Sequence, residues 1–326
     1  MVKSLITGAG GFVASHLTDL LLEKREEVCG TYRWNEDLRA IDRNRDKIKL
    51  YQADLTDLSS LSRVMNEYRP DIIYHLAAES FVPSSFVSPI AAWNANALGT
   101  LNLLESVRQT RDHLGKDKFN PVMHICSSSE VYGQVKREDL PINEDARLRP
   151  QSPYASSKVA EDALALQYFD SFGIKTLRTR MFTHTGPGRT MMSAEVNFAS
   201  QIARIEKGLQ EPIIKVGNLD SIRTFADVRD ATRAYHMLVR MCPPGEVYNI
   251  GGDRTMTIGD MLSYLVSLSP RKDEIRHEVD PALLRPSDVT LQIPDTTKFK
   301  KATGWEPKFT FEQTMLDLLN WWRLQV

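Results

Sequence analysis

Cysteine is scarce in this chain, with three among 326 residues, and Cys29, Cys126 and Cys242 lie far apart without metal-ligand spacing. Two of them fall in predicted strands, so reduced core thiols are expected, which points to the cytoplasm. Nowhere do about 18 apolar residues follow one another, and the short N-terminal apolar run is interrupted by Lys3 and glycines; neither a signal peptide nor a membrane span is expected. An excess of charge is missing too. The formal net charge is −1, with both signs spread along the chain, which gives no electrostatic reason to expect nucleic acid or a membrane surface as partner. Internal repeats and low-complexity tracts are also lacking. What is present is an ordinary composition, 42% hydrophobic, in a chain long enough for one large α/β domain or two compact units.

Order in the first half comes from alternation. The runs "KSLIT", "EEVCGTY", "KIKLYQA", "DIIYHLA" and "PVMHICS" read as strands, and residues 11–24, 57–68, 89–112 and 155–172 carry helical apolar spacing. "GIKTLRTRMF" continues as a sixth strand. This pattern predicts an α/β fold with a doubly wound parallel sheet. After about residue 181 longer irregular loops separate the helices, which predicts a smaller C-terminal lobe over 181–326 beside a first unit over 1–180. The helix starting near Asp227 and the strand "EVYNIG" are expected to pack back on the first unit, so that parts of about 213–250 belong with it.

The stretch "TGAGGFVASH" at residues 7–16 follows the first strand and opens the first helix. In a dinucleotide-binding turn the first glycine allows the tight bend, the second lets the backbone approach a pyrophosphate, and the third allows close helix-to-strand contact. Gly8 and Gly11 fill the first two places. Ala14 stands in the third, where a methyl disturbs packing but touches no phosphate, and the helix N-terminal amides remain available to an anion. Where the second strand ends, an acid would hold the ribose hydroxyls of NAD. Arg33 in "GTYRW" suits a 2′-phosphate better and favours NADP over NAD; Glu36 and Asp37 come late for ribose binding.

Downstream, the fifth strand runs into "CSSSEVYG", and "SPYASSK" sets Tyr154 and Lys158 four residues apart on one helix face. A Tyr and a Lys at this spacing carry little weight alone. Joined to a serine cluster at a strand end and a glycine loop at the start of the chain, they carry much more.

With those residues, the chain resembles the extended short-chain dehydrogenase/reductase superfamily. The motifs "TGAGGFVA", "ADLTD", "HLAAES", "NALGT", "SSSEVYG", "SPYASSK", "RTRMFTHTGPG", "RTFADVRD" and "LRPSDV" run in family order over nearly the whole chain. Within it, "GNLDSIRTFADVRD" and "LRPSDV" resemble the branch of GDP-mannose 4,6-dehydratases and GDP-4-keto-6-deoxymannose reductases. The resemblance implies an NADP-binding Rossmann domain contacted through Gly8, Gly11, Phe12, Val13, Arg33, Asp54, Leu55, Leu76, Ala77, Ala78, Tyr154 and Lys158. It also implies a lobe holding a GDP-linked sugar through Ser80, Ser129, Thr183, Asn197, Lys215, Arg223, Arg285 and Asp288. Arg223 and Arg285 are the expected diphosphate and ribose ligands, because a guanidinium fork matches phosphate oxygens. Lys215 is expected near the base. A homodimer is implied, with a tetramer as the alternative.

The chemistry expected of such an enzyme explains the residue types. Oxidation at C4 of a sugar needs a base for the hydroxyl proton while hydride leaves for the nicotinamide, and a phenol beside an ammonium serves. Tyr154 is that base, Lys158 its electrostatic support and ribose ligand, and Ser128 orients the C4 oxygen. Glu130 bears on the outcome. Once C4 is a ketone, Glu130 is placed to remove the C5 proton and protonate the departing C6 hydroxyl, after which the stored hydride returns to C6. This favours a 4,6-dehydratase over a 4-epimerase, whose corresponding place carries a small or hydroxyl residue. A 4-ketosugar reductase using the same Tyr, Lys and Ser remains open, and a redox-sensing NADP-binding module need not retain Tyr154 and Lys158. Thr183 departs from the asparagine of many relatives, which leaves sugar and nucleotide identity less fixed than the fold.

Overall fold

The computed structural model describes residues 1–190, 193–284 and 289–326. Seven parallel strands form its main sheet, and six of them are the runs read from the sequence: β1 (Lys3–Thr7), β2 (Glu27–Tyr32), β3 (Lys49–Gln52), β4 (Ile72–His75), β5 (Val122–Ser128) and β6 (Lys175–Met181). After β7 (His184–Thr185), β8 (Ile213–Val216) and β9 (Ile222–Asp227), the chain returns with β10 (Val247–Ile250), which pairs with β6. The resulting order, β10-β6-β5-β4-β1-β2-β3, reverses direction between β1 and β4. A ligand crevice opens at such a switch point, beyond the carboxyl ends of the strands.

Helices α1 (Phe12–Glu23), α2 (Leu58–Tyr68), α3 (Val82–Val87), α4 (Pro89–Trp93), α5 (Gly99–Leu114), α6 (Pro153–Phe172) and, after α7 (Ala194–Glu206), which packs elsewhere, α8 (Val228–Met241) lie about the two faces of this sheet. One π turn, Asn94–Leu98, joins α4 to α5 with helical backbone on both sides, so the helix expected over 89–112 runs through with a single bulge. Apolar clusters lie on the two sides of the sheet. One gathers Leu17, Leu21, Tyr235 and Leu238 from α1 and α8; the other gathers Leu61, Val64, Leu103 and Val107 from α2 and α5. Burying strands on both faces accounts for their nearly unbroken apolar runs.

A smaller assembly sits at the carboxyl edge. It comprises α7, α9 (Ile258–Ser267) and, beyond α10 (Thr297–Thr303), which instead packs Phe299 into the main-sheet core against β10 and α8, α11 (Phe311–Gln325), together with β11 (Arg254–Thr257), β12 (Arg276–Val279) and β13 (Leu291–Gln292). β11 and β13 flank β9, and β12 pairs with β8. Its own core includes Phe198, Ile202, Phe225, Leu262, Met315 and Leu318. Among the described residues, no helix is long and apolar enough to cross a membrane. The three cysteines are free thiols, as expected.

Candidate active site

A cavity of about 1130 Å³ runs from the first turn after β1 to the small assembly. That exceeds the ~300–1,000 Å³ typical of a site for one small molecule. One end is built by the glycine turn. Gly8 has φ +72, and a Cβ there would stand 2.9 Å from the Ala77 Cα, so only glycine fits between β1 and the β4 loop. The Gly11 amide closes the turn on the Gly8 carbonyl at 3.0 Å, and Gly11 caps α1 without any side-chain acceptor. The first-turn amides of α1 are thus left for an anion. Ala14 is buried in the core with α1 seated on the sheet, so the methyl is accommodated.

Phe12, Val13, Arg33, Asp54, Leu55, Leu76, Ala77 and Ala78 line the same end. Asp54 turns its Oδ1 onto the amide and hydroxyl of Thr56, at 2.8 and 2.7 Å. Glu36 also reaches the cavity wall, and its carboxylate accepts the Arg33 amide at 2.7 Å. The loop after β2 folds back and brings Glu36 to this wall.

In the middle stand the four expected catalytic residues, Ser128, Glu130, Tyr154 and Lys158, all on the cavity wall. β5 delivers Ser128, whose hydroxyl accepts the Glu130 amide at 3.2 Å and so starts the 3-10 turn Ser129–Tyr132. Helix α6 opens on Ser152, which accepts the Ala155 amide at 3.0 Å, with Pro153 in the first turn. Tyr154 therefore lies one turn before Lys158 on the buried face. The Lys158 ammonium donates to the Cys126 carbonyl at 2.8 Å and to Glu161 Oε2 at 2.7 Å. Burial pushes the Tyr154 phenol above its ordinary value, and the Lys158 charge and the Ser128 hydroxyl pull it back. The expected lowering by Lys158 is present but is outweighed by burial. Ser129 Oγ donates to Gln292 Oε1 at 3.2 Å, and Gln292 Nε2 donates to Glu130 Oε1 at 3.1 Å.

At the far end Ser80, Ser129, Thr183, Asn197 and Arg223 line the cavity. Arg223 is buried on β9, across from Gln292 on β13. Lys215 corrects the expectation. On β8 the neighbours Ile214 and Val216 point inward, so strand alternation turns Lys215 outward, where its ammonium meets Glu278 at 2.6 Å and does not line the cavity. Arg285 and Asp288 lie outside the described residues. Sequence reasoning missed Gln292 and Arg189, and it named Glu36 only to set it aside. Arg189 lines the cavity and pairs with Glu195 at 3.3 Å; its only signal was its position at the end of "THTGPGR".

A parallel sheet of this order, a glycine turn after its first strand and a Tyr–Lys pair facing a serine at a strand end define an extended short-chain dehydrogenase/reductase. The chain belongs to the family described as GDP-mannose 4,6 dehydratase, whose sequence model matches residues 5–318. It is 33% identical over 324 residues to the GDP-6-deoxy-D-mannose reductase of Pseudomonas aeruginosa, covering 99% of this chain and 98% of that one. To the GDP-mannose 4,6-dehydratase of Yersinia enterocolitica it is 30% identical over 358 residues, covering 98% and 93%. Among solved structures, RMD from Pseudomonas aeruginosa complexed with NADPH superposes with a TM-score of 0.84 at 30% identity, covering all of both chains. The UDP-glucose 4-epimerase of Thermus thermophilus, in complex with NAD, superposes at 0.85 with 26% identity, again over both full chains.

Proposed function

We propose that the protein is an NADP-dependent nucleotide-sugar 4,6-dehydratase that converts GDP-mannose, or a related GDP-manno sugar, to the GDP-4-keto-6-deoxy sugar. The observation that carries this reading is the Glu130 carboxylate on the cavity wall beside Ser128 and Tyr154, held there by Gln292. An acid at that place has work in an elimination and none in a simple hydride exchange.

The residues fit a nicotinamide dinucleotide. Gly8, Gly11 and the α1 N-terminus suit its pyrophosphate, Arg33 a 2′-phosphate, Asp54 and Leu55 the adenine end, and Leu76, Ala77 and Ala78 the stretch toward Tyr154 and Lys158. When bound, it supplies the acceptance of hydride from C4 and its return to C6. Ser128 holds the C4 oxygen, and Tyr154 takes the C4 hydroxyl proton. The two Lys158 bonds use two of three ammonium N–H donors and leave the third for a ribose hydroxyl. Glu130 takes the C5 proton and gives a proton to the C6 hydroxyl as it leaves as water; once hydride has reached C6, C5 takes up a solvent proton delivered through Glu130, which is why deuterium enters there. Ser80, Ser129, Thr183, Asn197 and Arg223 hold the GDP-sugar, Arg223 as the diphosphate cation.

The second reading, an NADPH-dependent GDP-4-keto-6-deoxymannose reductase, is favoured by the similarity to the Pseudomonas reductase over nearly the full length. Incubation with GDP-mannose and catalytic NADP⁺ in deuterated water, without reductant, separates the two. Loss of water with deuterium at C5, seen by mass spectrometry and proton NMR, supports the dehydratase. Inertness there, with NADPH consumption on the 4-keto-6-deoxy sugar, supports the reductase.

The same reading divides the chain into a cofactor domain over 1–180, joined by α8 and β10, and a sugar-binding lobe over the rest of 181–326. A homodimer is supported by exposed Ile90, Trp93 and Leu98 near the start of α5 and by Leu166 and Phe172 on α6. Free thiols and a nucleotide-sugar substrate accord with the cytoplasm.

A further inference from the structure

One buried carboxylate stands directly behind the Tyr154–Lys158 pair and has no part in the chemistry above. Glu161, one helical turn after Lys158, is buried, with a side chain only 1% exposed, and its Oε2 accepts from the Lys158 ammonium at 2.7 Å. Its Oε1 finds no hydrogen-bond donor among the described residues. Burial raises the Glu161 carboxyl to about 7 against the pull of the Lys158 ammonium, so that above this pH the two face each other as a buried ion pair.

The surroundings leave Lys158 as its counter-charge. Asp162, next on α6, is taken by Arg178 and Arg180 of β6, each at 2.9 Å. From β4 and β5 come His75 and His124, both driven by burial to about 3 and so neutral, together with the Cys126 thiol, which Tyr235 of α8 contacts. The 3-10 turn adds Glu130 and Tyr132, and Tyr132 bonds Asn249 and Arg180. On α5, Glu105 pairs with Arg108 and takes the Tyr168 hydroxyl near the other end of α6. No titratable side chain comes from α3, α4 or the π turn.

We propose that Glu161 is a positioning residue for the proposed Tyr154–Lys158 pair, holding the ammonium in place and setting the pH range over which the pair works. Burial works against the Lys158 charge, and the Glu161 carboxylate and the Tyr154 oxygen overcome it, so Lys158 stays above its ordinary value. On Tyr154 the same carboxylate acts upward. Removing one negative charge therefore moves both titrations in one direction, to lower pH. The inference rests on the reading of Tyr154 and Lys158 given above.

Its test is a pH titration of the tyrosinate ultraviolet band in the full-length protein. Wild type, Glu161→Gln and Glu161→Asp are each referenced to a Tyr154→Phe partner, so that only Tyr154 is read. The Gln variant is expected to lower the Tyr154 midpoint and both limbs of the pH–rate profile by about one pH unit. The Asp variant, which keeps the charge but withdraws it, is expected to shift them by less. Unmoved midpoints with only a lowered melting temperature would reduce Glu161 to a packing residue and overturn the proposal. Should the Gln variant fail to fold, the Asp variant decides: a smaller downward shift supports the role, and none overturns it. A wild-type protein that turns over neither GDP-mannose nor its 4-keto-6-deoxy product would remove the proposed function, while the tyrosinate midpoint still rules on Glu161.

Discussion

Gln292 holds Glu130: the amide nitrogen of one lies 3.1 Å from the carboxylate of the other, across 162 positions of sequence. The same amide's oxygen accepts from Ser129, so Gln292 can present only its N–H side to Glu130. Replacing Glu130 by Gln is expected to lower the rate of water loss by about 10²–10⁴-fold while leaving C4 oxidation intact. Reduced nicotinamide should then accumulate and be visible by its absorbance. Gln292→Leu leaves the carboxyl but frees its orientation, and a loss in kcat of about 10²-fold with little change in KM is expected. A Glu130→Gln enzyme that still released water at the wild-type rate would take the acid/base role away from Glu130.

Tyr154 begins above its ordinary value because it is buried, with Lys158 and Ser128 pulling it down. In the proposed mechanism the deprotonated phenol is the base, so the rate of C4 oxidation should climb as pH rises from neutral. Ser128→Ala removes one downward pull and is expected to move that rise to higher pH, the opposite of the shift foreseen for Glu161→Gln. Tyr154→Phe should cost about 10²–10⁴-fold. Single-turnover cofactor reduction measured against pH checks both; an unchanged profile in Ser128→Ala would deny the serine its influence on the phenol.

The proposed preference for NADP rests on two side chains in the loop after β2. The Glu36 carboxylate occupies the Arg33 amide on the cavity wall, where a 2′-phosphate would meet a negative charge. Arg33→Ala is expected to weaken NADP binding by about ten- to a hundredfold, the worth of a charge-assisted bond, and to leave NAD nearly untouched. Glu36→Gln should tighten NADP specifically. Calorimetric titration of each variant with both cofactors reads this directly, and equal losses for NAD and NADP in Arg33→Ala would deny Arg33 its 2′-phosphate.

The main sheet was legible because its central strands, such as β1 and β4, are buried on both faces and bounded by turn residues, so that apolar runs such as "DIIYHLA" mark them without reference to partners. The Tyr154–Lys158 pair was legible for a local reason as well, one helical turn. Gln292 carried no such signal: it reaches Glu130 only because β13 pairs with β9, a contact that spacing along the chain does not encode. Lys215 went astray on charge alone, since the alternation of Ile214 and Val216 around it already turned it to solvent. Glu36 was discounted by counting residues from a strand end, which a loop that doubles back defeats.

Two histidines beneath the site tie stability to acid. His124 is completely enclosed between β4, β6 and Tyr235, whose ring centroid lies 4.4 Å away, and its Nε2 meets the Thr179 hydroxyl at 2.8 Å. Burial, with nearby His75 and the Lys158 charge adding to it, drives its value from 6.5 down to about 3; His75, between Thr7 and Thr100, falls likewise through burial and Lys158. Below 6.5 the unfolded chain binds protons that the folded protein refuses. The stability held by neutral histidine is thus complete above that pH and is lost progressively as pH falls toward 3, at about 1.4 kcal/mol per pH unit for each histidine. Carboxylates that are paired in the fold add to the same trend, so the level alone does not isolate the histidines, but the slope of a variant does. His124→Gln, which keeps a polar side chain facing Thr179, is expected to flatten the dependence between pH 6 and 4 by about 1.4 kcal/mol per unit. Urea unfolding across that range in wild type and variant measures the difference, and parallel slopes would show that His124 takes up its proton in the folded state.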